Sequence, residues 1–260
     1  MLPWLFVNAL GLVGCLIALF VSLRFPRHRL LVAGLALFVL VTKSVLSNLP
    51  VEEAALFPWP WYIYLQEYWV VFGGLIFLGL AIPQLPVRWN QIAVALVALG
   101  LLVVGGQWTS WMLGTEPLGA EVAPDSTHHL SQSTGYTCAP CACASAVSHV
   151  GVQMTERSMA AACLTRKNRG TTLFNTYRGL AIALGGTAWR PRVRRVTPDD
   201  LLVKDQVAVI DFPDLRHAIT VVGLGDAVTL HDPLLRYPIR MSRADLALRY
   251  GGIAVVLELR

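Results

Sequence analysis

The sequence predicts a four-helix, all-α transmembrane region followed by an α+β domain, and composition, charge distribution and a change of hydrophobic period support this. Of the 260 residues, 55% are hydrophobic and only 14% are charged, which is more apolar than an ordinary soluble protein. Five of the 21 lysine and arginine residues and four of the 16 acidic residues precede residue 119, and the rest follow it. The chain therefore divides into an apolar half and a half of globular composition.

The first half contains four apolar stretches, each near the roughly 20 residues needed to cross a bilayer. They are residues 2–23, 30–48, 61–82 and 91–113. The first stretch lacks a basic start and a clear small-residue cleavage site, so we expect it to be retained and not removed as a signal peptide. Residues 1–114 are therefore predicted to be a multi-pass membrane region that contacts the lipid bilayer and anchors the rest of the chain.

The links between these stretches predict the orientation in a bacterial cell membrane. Arg24, Arg27 and Arg29 lie in the first link and Arg88 lies in the third, whereas the second link carries two glutamates and no lysine or arginine. The positive-inside rule places the first and third links in the cytoplasm. With four spans, both termini and the second half of the chain are then extracytoplasmic.

The second half begins with a predicted linker, Thr115–Ser126, which is polar and contains proline and glycine. Residues 127–260 are long enough for one domain with one core. Helical patterns come first, at 137–150, 155–164 and 172–184.

Strand-like patterns follow the helical ones: AWRPRVRRV, QVAVIDF, HAITVVGL, AVTLHD and IAVVLEL, with a short helix, SRADLALRYG, before the last. Helices followed by an antiparallel sheet make an α+β domain. The run RPRVRR alternates basic and apolar residues, which is typical of a strand with one solvated face. Because the net charge is only +5, we expect no nucleic-acid partner.

Cys138 is the candidate nucleophile of this domain. It lies at the start of a predicted helix, where the helix dipole and free N–H groups favour a thiolate. A thiolate at such a position is the usual activated form of a cysteine nucleophile, and it still needs a general base.

His217 and Asp232 are predicted to supply that base and the carboxylate that orients it. His217 begins one strand and Asp232 ends the next, with a tight turn around Gly225–Asp226 between them. If the turn has two residues, Ile219 lies opposite Asp232, and His217 is the diagonal neighbour of Asp232 on the same face. A carboxylate beside an imidazole fixes its tautomer and stabilises its charged form. His231 would point to the other face.

An acyl-transfer site also needs an oxyanion hole. The backbone N–H of Cys138 can supply one donor, and the side-chain amide of Gln132, six residues upstream, can supply the other. We therefore expect a site made of Cys138, His217, Asp232 and Gln132, with no cofactor and no metal.

The remaining cysteines leave two alternatives open. Cys138 and Cys141 have a zinc-like spacing, and Cys143, Cys163 and either His128 or His129 are the further candidate ligands, but no second pair at similar spacing follows. Outside the cytoplasm, Cys141 or Cys143 could bridge to Cys163. The simpler interpretation is that these thiols are small buried hydrophobes and that His128–His129 belong to the linker.

The pattern Gln132–x5–Cys138 at a helix start, with His217 at a strand start and Asp232–Pro233 after the next strand, resembles the bacteriocin-processing cysteine peptidases. These are the double-glycine-leader peptidases, peptidase family 39, with a papain-like fold. GYTCAPCA, GTTLFNTYRGLAIALG and ALRYGGIAVVLEL are also similar to that family, and the resemblance covers about 127–260. It implies that Cys138 attacks a peptide carbonyl, His217 shuttles the proton, Asp232 orients His217 and Gln132 holds the oxyanion.

The sequence departs from the family at Ala139, where glycine is usual, which favours altered specificity. We expect a membrane-anchored cysteine peptidase acting on a peptide or an unstructured protein segment. Many relatives are domains of peptide-exporting transporters, but no GxxxxGK[ST] pattern is present, so a separate exporter is the expected partner. Two alternatives remain: an inactive domain that binds leader peptides for an exporter, and an acyltransferase or amidase with the same triad.

Overall fold

The structure is a computed structural model that describes residues 2–66, 68–108, 118–212 and 217–260. It divides into two compact units. The apolar unit contains residues 1–50 and 61–114, and the α+β unit contains residues 51–60 and 115–260. The end of the fourth predicted span and the start of the predicted linker, residues 109–117, lie outside the described residues.

The helices of the first 108 residues account for most of the apolar half. They are α1 (Leu2–Arg24), α2 (Arg29–Leu46), α3 (Pro50–Leu56), α4 (Tyr62–Gln66), α5 (Trp69–Ala81) and α6 (Arg88–Trp108). Three helical segments are long and apolar enough to cross a membrane: Pro3–Arg24, Pro26–Leu46 and Arg88–Gln107. They coincide with three of the four predicted spans.

The remaining predicted span, residues 61–82, differs from the prediction. It is divided between α4 and α5, and the apolar helical segment Trp69–Gln84 is shorter than the other three. Pro83 lies in the 3-10 turn that follows α5, because proline has no N–H with which to continue the α-helical hydrogen bonds. Within the described residues, three long apolar helices and a shorter one replace the expected four of similar length.

The α+β unit follows the predicted order of helices and then strands, with one additional helix, α10, and one additional strand, β5. Its elements are α7 (Cys138–Ser148), α8 (Glu156–Ala162), α9 (Leu173–Ala183), β1 (Trp189–Arg195), α10 (Pro198–Leu202), β2 (Val207–Phe212), β3 (His217–Gly223), β4 (Ala227–His231), β5 (Ile239–Ser242), α11 (Arg243–Arg249) and β6 (Ile253–Leu259). Thr155, Thr172, Thr197 and Ser242 cap α8, α9, α10 and α11 with their side-chain oxygens.

The described strands form one antiparallel sheet in the order β1-β6-β2-β3-β4-β5. Because side chains alternate along a strand, the sheet has an apolar core on each face. Val207 and Val209 of β2 join the core that contains α7, α8 and α9. Ala208 and Ile210 join the core that contains α10 and α11.

α7 is the central helix of the first core, and every residue from Ala139 to Ser148 is buried. Its side chains are small, so the sheet can approach closely, and the hydroxyl of Thr220 on β3 donates to the carbonyl of Ala142. A similar close approach occurs between α8 and α9. There a Cβ at Gly179 would lie 2.2 Å from the sulfur of Cys163. Glycine is therefore required at this helix contact.

Two outlying segments pack on the α+β unit. Residues 51–60 contribute Ala54 to the first core, and the carbonyl of Pro58 accepts a 2.9 Å hydrogen bond from the hydroxyl of Tyr177. Residues 118–122, which belong to the predicted linker, are hydrogen-bonded to the start of α8 through the carbonyls of Ala120 and Val122.

Candidate active site

Cys138 is the first residue of α7, and its side chain is half-buried. Thr137 precedes it in the N-cap position but does not cap the helix with its side chain. Its hydroxyl instead donates to Glu156 over 2.5 Å. Because Thr137 does not occupy the free N–H groups at the start of α7, these groups and the positive end of the helix dipole can both stabilise a negative charge on Cys138.

The surroundings of Cys138 favour its thiolate. Burial alone would raise the pKa of this thiol, but hydrogen bonds from the side chain of His217 and from the backbone of Ala218, together with the charge of His217, lower it below its ordinary value. A thiol with a lowered pKa beside an imidazole has the chemistry of a cysteine nucleophile.

His217 is the first residue of β3, and it contacts Cys138 and Asp232 together. Its Nε2 lies 2.6 Å from Oδ1 of Asp232, which leaves Nδ1 as the ring nitrogen for the contact with Cys138. Burial alone would lower the pKa of His217, but the hydrogen bonds and charges of Asp232 and Cys138 raise it to about 9. His217 is thus hydrogen-bonded to Asp232, and the interactions with Asp232 and Cys138 both favour its imidazolium form.

The register between β3 and β4 is the predicted one. Thr220 pairs with His231, so Ile219 lies opposite Asp232. The connecting turn has two residues, Gly225 and Asp226. Gly225 has φ +96°, a conformation typical of the first position of a type II′ hairpin turn.

Asp232 holds its charge through these contacts. Burial would raise the pKa of its carboxyl, but the hydrogen bonds from His217 and from the backbone N–H of Leu234, the latter 2.9 Å long, lower it. Asp232 is therefore ionised at neutral pH and can stabilise the imidazolium of His217.

Gln132 lies on the loop before α7 and is tied to the segment that carries Asp232. Its backbone N–H donates to the carbonyl of Pro233 over 2.9 Å. Its side-chain oxygen is buried and has no hydrogen-bond partner among the described residues. No described residue therefore holds Gln132 through its side-chain oxygen.

Glu156, the first residue of α8, organises the same loop and was not among the residues predicted from the sequence. Its buried carboxylate accepts hydrogen bonds from the backbone N–H groups of Ala120 and Ser133 and from the hydroxyl of Thr137. Burial would raise the pKa of Glu156, but these hydrogen bonds lower it. In the sequence, Glu156 directly follows Thr155, the N-cap residue of α8. Acidic residues are common in the first turn of a helix, so the sequence alone does not indicate that Glu156 also holds the loop.

Four histidines form a cluster beside the candidate site: His128, His129, His149 and His231. The Nε2 atoms of His149 and His231 are 3.0 Å apart, and His129 Nε2 lies 2.9 Å from the carbonyl oxygen of Leu235. The expectation that His128–His129 are linker residues is therefore wrong. They pack against the end of α7 and the end of β4, which the sequence places far apart.

The other cysteines of the unit are buried thiols. Cys141, Cys143 and Cys163 are fully buried and, like every described cysteine, free. Burial raises the pKa of the Cys141 and Cys143 thiols well above the ordinary value. In the described part of the chain, no group of three or more histidine, cysteine or acidic side chains has the arrangement of a metal site.

A cleft of about 570 Å³ begins at Cys138. One wall is the loop and first turn around the cysteine, including Gly135, Tyr136 and Ala139, and the other is residues 168–173. The Tyr136 hydroxyl donates to the Asn168 side chain over 2.8 Å and joins the two walls. A peptide chain could therefore reach the thiol along this cleft.

The amino-acid sequence is similar to those of two archaeal proteins. No protein-family model matches the chain. An uncharacterised protein of Methanothermobacter marburgensis and another of Methanothermobacter thermautotrophicus are each 30% identical to the chain over 128 residues, which is 49% of this chain and 85% of each relative.

Two solved structures are similar to part of the chain. The peptidase domain of Streptococcus ComA, a bifunctional ABC transporter involved in a quorum-sensing pathway, has a TM-score of 0.43 at 20% identity, over 50% of this chain and 97% of that domain. A double-glycine-motif protease from an AMS/PCAT transporter, in complex with the leader peptide, has a TM-score of 0.44 at 13% identity, over 56% of this chain and 100% of that one.

Proposed function

The chain belongs to the same family as the two uncharacterised Methanothermobacter proteins, and from its own site we propose that it is a membrane-anchored cysteine peptidase. The observation that supports this most is the His217–Asp232 hydrogen bond of 2.6 Å, together with the interaction of His217 with Cys138 at a helix N-terminus. The lowered pKa of the Cys138 thiol and the raised pKa of His217 support an ion pair that is ready to react.

In the proposed reaction, the thiolate of Cys138 attacks the carbonyl carbon of a peptide bond, and a C–S bond forms. The backbone N–H of Cys138 and the side-chain amide of Gln132 donate to the carbonyl oxygen as it becomes negative. The imidazolium of His217 gives its proton to the leaving nitrogen, and the C–N bond breaks. A thioester between the substrate acyl group and Cys138 remains.

Water completes the reaction. His217, now neutral, accepts a proton from the water as its oxygen attacks the thioester carbonyl. The C–S bond breaks, the acid product leaves, and Cys138 returns to the thiolate. Asp232 keeps Nε2 of His217 in place throughout, so Nδ1 stays directed at the thiol.

The proposed substrate is a peptide or an unstructured protein segment near the membrane, with leader-peptide processing as the reaction and a separate exporter as the partner. The support is the sequence resemblance of residues 127–260 to the double-glycine-leader peptidases. Ala139 is buried and lines the cleft, so its methyl group narrows the space beside Cys138. We therefore expect a specificity that differs from that family's.

We also propose four spans, with the α+β unit on the extracytoplasmic side. Residues 51–60, the link between the second and third predicted spans, belong to the α+β unit, so this link and the domain share one side of the membrane. Since Arg88–Gln107 is long enough to cross once, residues 61–87 must then cross as well, through the shorter α5. The arginines of the first and third links place those links in the cytoplasm.

The test is to label the protein in detergent with a peptide-like electrophile at limiting dose and to map the modified cysteine by mass spectrometry. We expect selective labelling of Cys138 because Cys141, Cys143 and Cys163 are fully buried. His217→Ala should lower the labelling rate about 100-fold or more, since general acid–base assistance is lost. The matched control is His28→Ala, at an exposed histidine of the apolar unit.

Labelling that is slow, spread over several thiols and indifferent to His217 would contradict the peptidase proposal and favour a domain that only binds leader peptides. Once a cleaved substrate is found, an added amine separates hydrolysis from acyl transfer. Transfer would give the amide of that amine, and hydrolysis gives the free acid.

A further inference from the structure

The cleft beside Cys138 contains an acidic side chain that the proposed reaction does not use. Asp211 of β2 pairs with Ala218 of β3, the residue that directly follows His217. Asp211, Ala218 and Cys138 all line the 570 Å³ cleft. The carboxylate therefore lies in the same cleft as the thiol of Cys138.

Asp211 lies close enough to His217 to feel the charge of that imidazole. Its side chain is exposed to the cleft and makes no hydrogen bond or ion pair with a described residue. The cleft walls nevertheless remove part of its hydration. This desolvation raises the pKa of the Asp211 carboxyl above its ordinary value, and the charge of His217 opposes the rise. A carboxylate that has lost water without gaining a donor is stabilised by a cation that a ligand brings.

Apart from the charge of His217, the described residues around the cleft give this carboxylate no ion-pair partner. Asp211 is the one acidic residue among the described residues that line the cleft. Arg169 is the other charged residue there, and it has an interaction of its own. Cys138 is the candidate thiolate, and the other lining residues are neutral, several of them glycine, alanine or threonine. The cleft therefore has room for a long side chain that ends in a positive group.

We propose that Asp211 selects peptide substrates that carry lysine or arginine next to the scissile bond. This inference rests on the proposed peptidase function and adds the substrate class to it. The substrate's ammonium or guanidinium group donates charge-assisted hydrogen bonds to the carboxylate, and one such bond changes an equilibrium about tenfold or more. Because the pair forms at an exposed end of the cleft, added salt weakens it.

The test uses short peptides with a central epoxide, which the Cys138 thiolate opens as a C–S bond forms, a C–O bond breaks and the epoxide oxygen takes up a proton. One series carries arginine on either side of the epoxide, and a matched series carries citrulline, which has the same shape without the charge. We expect the arginine probe to label Cys138 about tenfold faster on at least one side.

Three variants of the protein in detergent test whether Asp211 causes the preference for the arginine probe. Asp211→Asn should bring the ratio of arginine to citrulline labelling close to 1, and Asp211→Glu should retain the preference. Asp226→Asn is the control, because it removes the same charge from the exposed turn between β3 and β4, where Asp226 pairs with Arg240. The ratio should stay at the native value in that variant.

The outcomes separate this inference from the peptidase proposal. If no probe labels Cys138, the peptidase proposal itself fails. If both probes label Cys138 at equal rates, the peptidase proposal stands and the selection of cations by Asp211 is overturned. A preference for arginine that persists in Asp211→Asn also overturns it, since the selecting charge then lies elsewhere.

Discussion

At the scale of single residues, the chemistry of the site depends on competition between burial and hydrogen bonding. Burial opposes the charged forms of Cys138, His217 and Asp232 alike, yet each pKa moves toward the charged form. His217 interacts with both anions, and backbone N–H groups of Ala218 and Leu234 donate to Cys138 and Asp232. The charged forms are therefore a property of the three residues together and not of any one residue, and removing one member should change the others.

The pH dependence of Cys138 tests this coupling. Because its pKa is lowered, alkylation by iodoacetamide should stay fast at pH values where an ordinary thiol, with a pKa of about 8.5, has become slow. Asp232→Asn removes a charge that supports the imidazolium, so the acid limb of the alkylation profile should move to higher pH. The measurement is the alkylation rate of Cys138 by mass spectrometry from pH 4 to 10.

At alkaline pH, peptide hydrolysis and alkylation of Cys138 should respond differently. His217 loses its proton near pH 9, so peptide hydrolysis, which needs the imidazolium as an acid, should decline there while alkylation continues. A native alkylation profile that matches a free cysteine peptide would contradict the ion pair.

Glu156 is expected to be a positioning residue because it holds the loop between Gln132 and Cys138. Glu156→Ala leaves two backbone N–H groups and the Thr137 hydroxyl without their acceptor, which should lower the free energy of unfolding by about 3 kcal/mol or more. Glu156→Gln keeps the shape and part of the accepting capacity, so its effect should be smaller. Denaturant unfolding of the protein in detergent measures both effects.

The matched control for Glu156 is Glu121, an exposed acid whose ion pair with Arg157 is 3.2 Å long. Glu121→Gln should change the free energy of unfolding by no more than about 0.5 kcal/mol. Equal effects of Glu156→Gln and Glu121→Gln would show that the carboxylate of Glu156 does not hold the loop.

At the scale of elements, the histidine cluster joins the end of α7, the end of β4 and the segment before Gln132. Burial, reinforced by neighbouring imidazoles, lowers the pKa of His149 to about 4 and that of His231 to about 3. The ordinary value of about 6.5 applies to the unfolded chain, so between these values the unfolded chain binds more protons than the folded one. The cluster therefore favours folding above about pH 6.5 and loses this contribution as the pH falls toward 4 and 3.

We accordingly expect the α+β unit to become less stable on acidification from pH 6.5 to 4, by an amount on the order of a few kcal/mol. Differential scanning calorimetry of the protein in detergent can follow the melting at each pH, because it needs no reactive group. His149→Gln removes one of the two shifted groups and should flatten the decline of the melting midpoint, whereas His28→Gln should not. An unchanged slope in His149→Gln would contradict the assignment to this cluster.

At the scale of the whole molecule, the membership of residues 51–60 in the α+β unit constrains the topology. Arg195 lies 3.4 Å from Glu52, and Tyr177 bonds the carbonyl of Pro58, so the link is held by specific contacts within that unit. Glu52 is part of these contacts, which gives this acidic link a structural role within the α+β unit.

Reporter fusions test the topology directly. Alkaline phosphatase placed after Arg260 or within residues 51–60 should be active, because both sites are expected outside the cytoplasm. The same reporter after Val87, in the third link, should be inactive, and a fluorescent protein there should mature. Activity after Arg260 together with inactivity within residues 51–60 would overturn the arrangement with four spans.

The sequence by itself determined the order of helices and strands, the helix start at Cys138 and the register of β3 on β4. These features depend on hydrophobic period, on helix and turn residues, and on a two-residue turn, all of which act over a few neighbouring positions. The short α5 was missed because its apolar composition resembles that of a full span, and Pro83 ends it early.

The tertiary structure alone decided which distant groups meet. His149 and His231 are 82 positions apart in the chain, Ser133 and Glu156 are 23 apart, and Glu52 and Arg195 are 143 apart. In the sequence, Asp211 is one polar residue in an otherwise apolar strand. Only the fold places it in the cleft of Cys138. No local pattern records these contacts, because each depends on how the helices and strands pack together and not on the residues beside it in the chain.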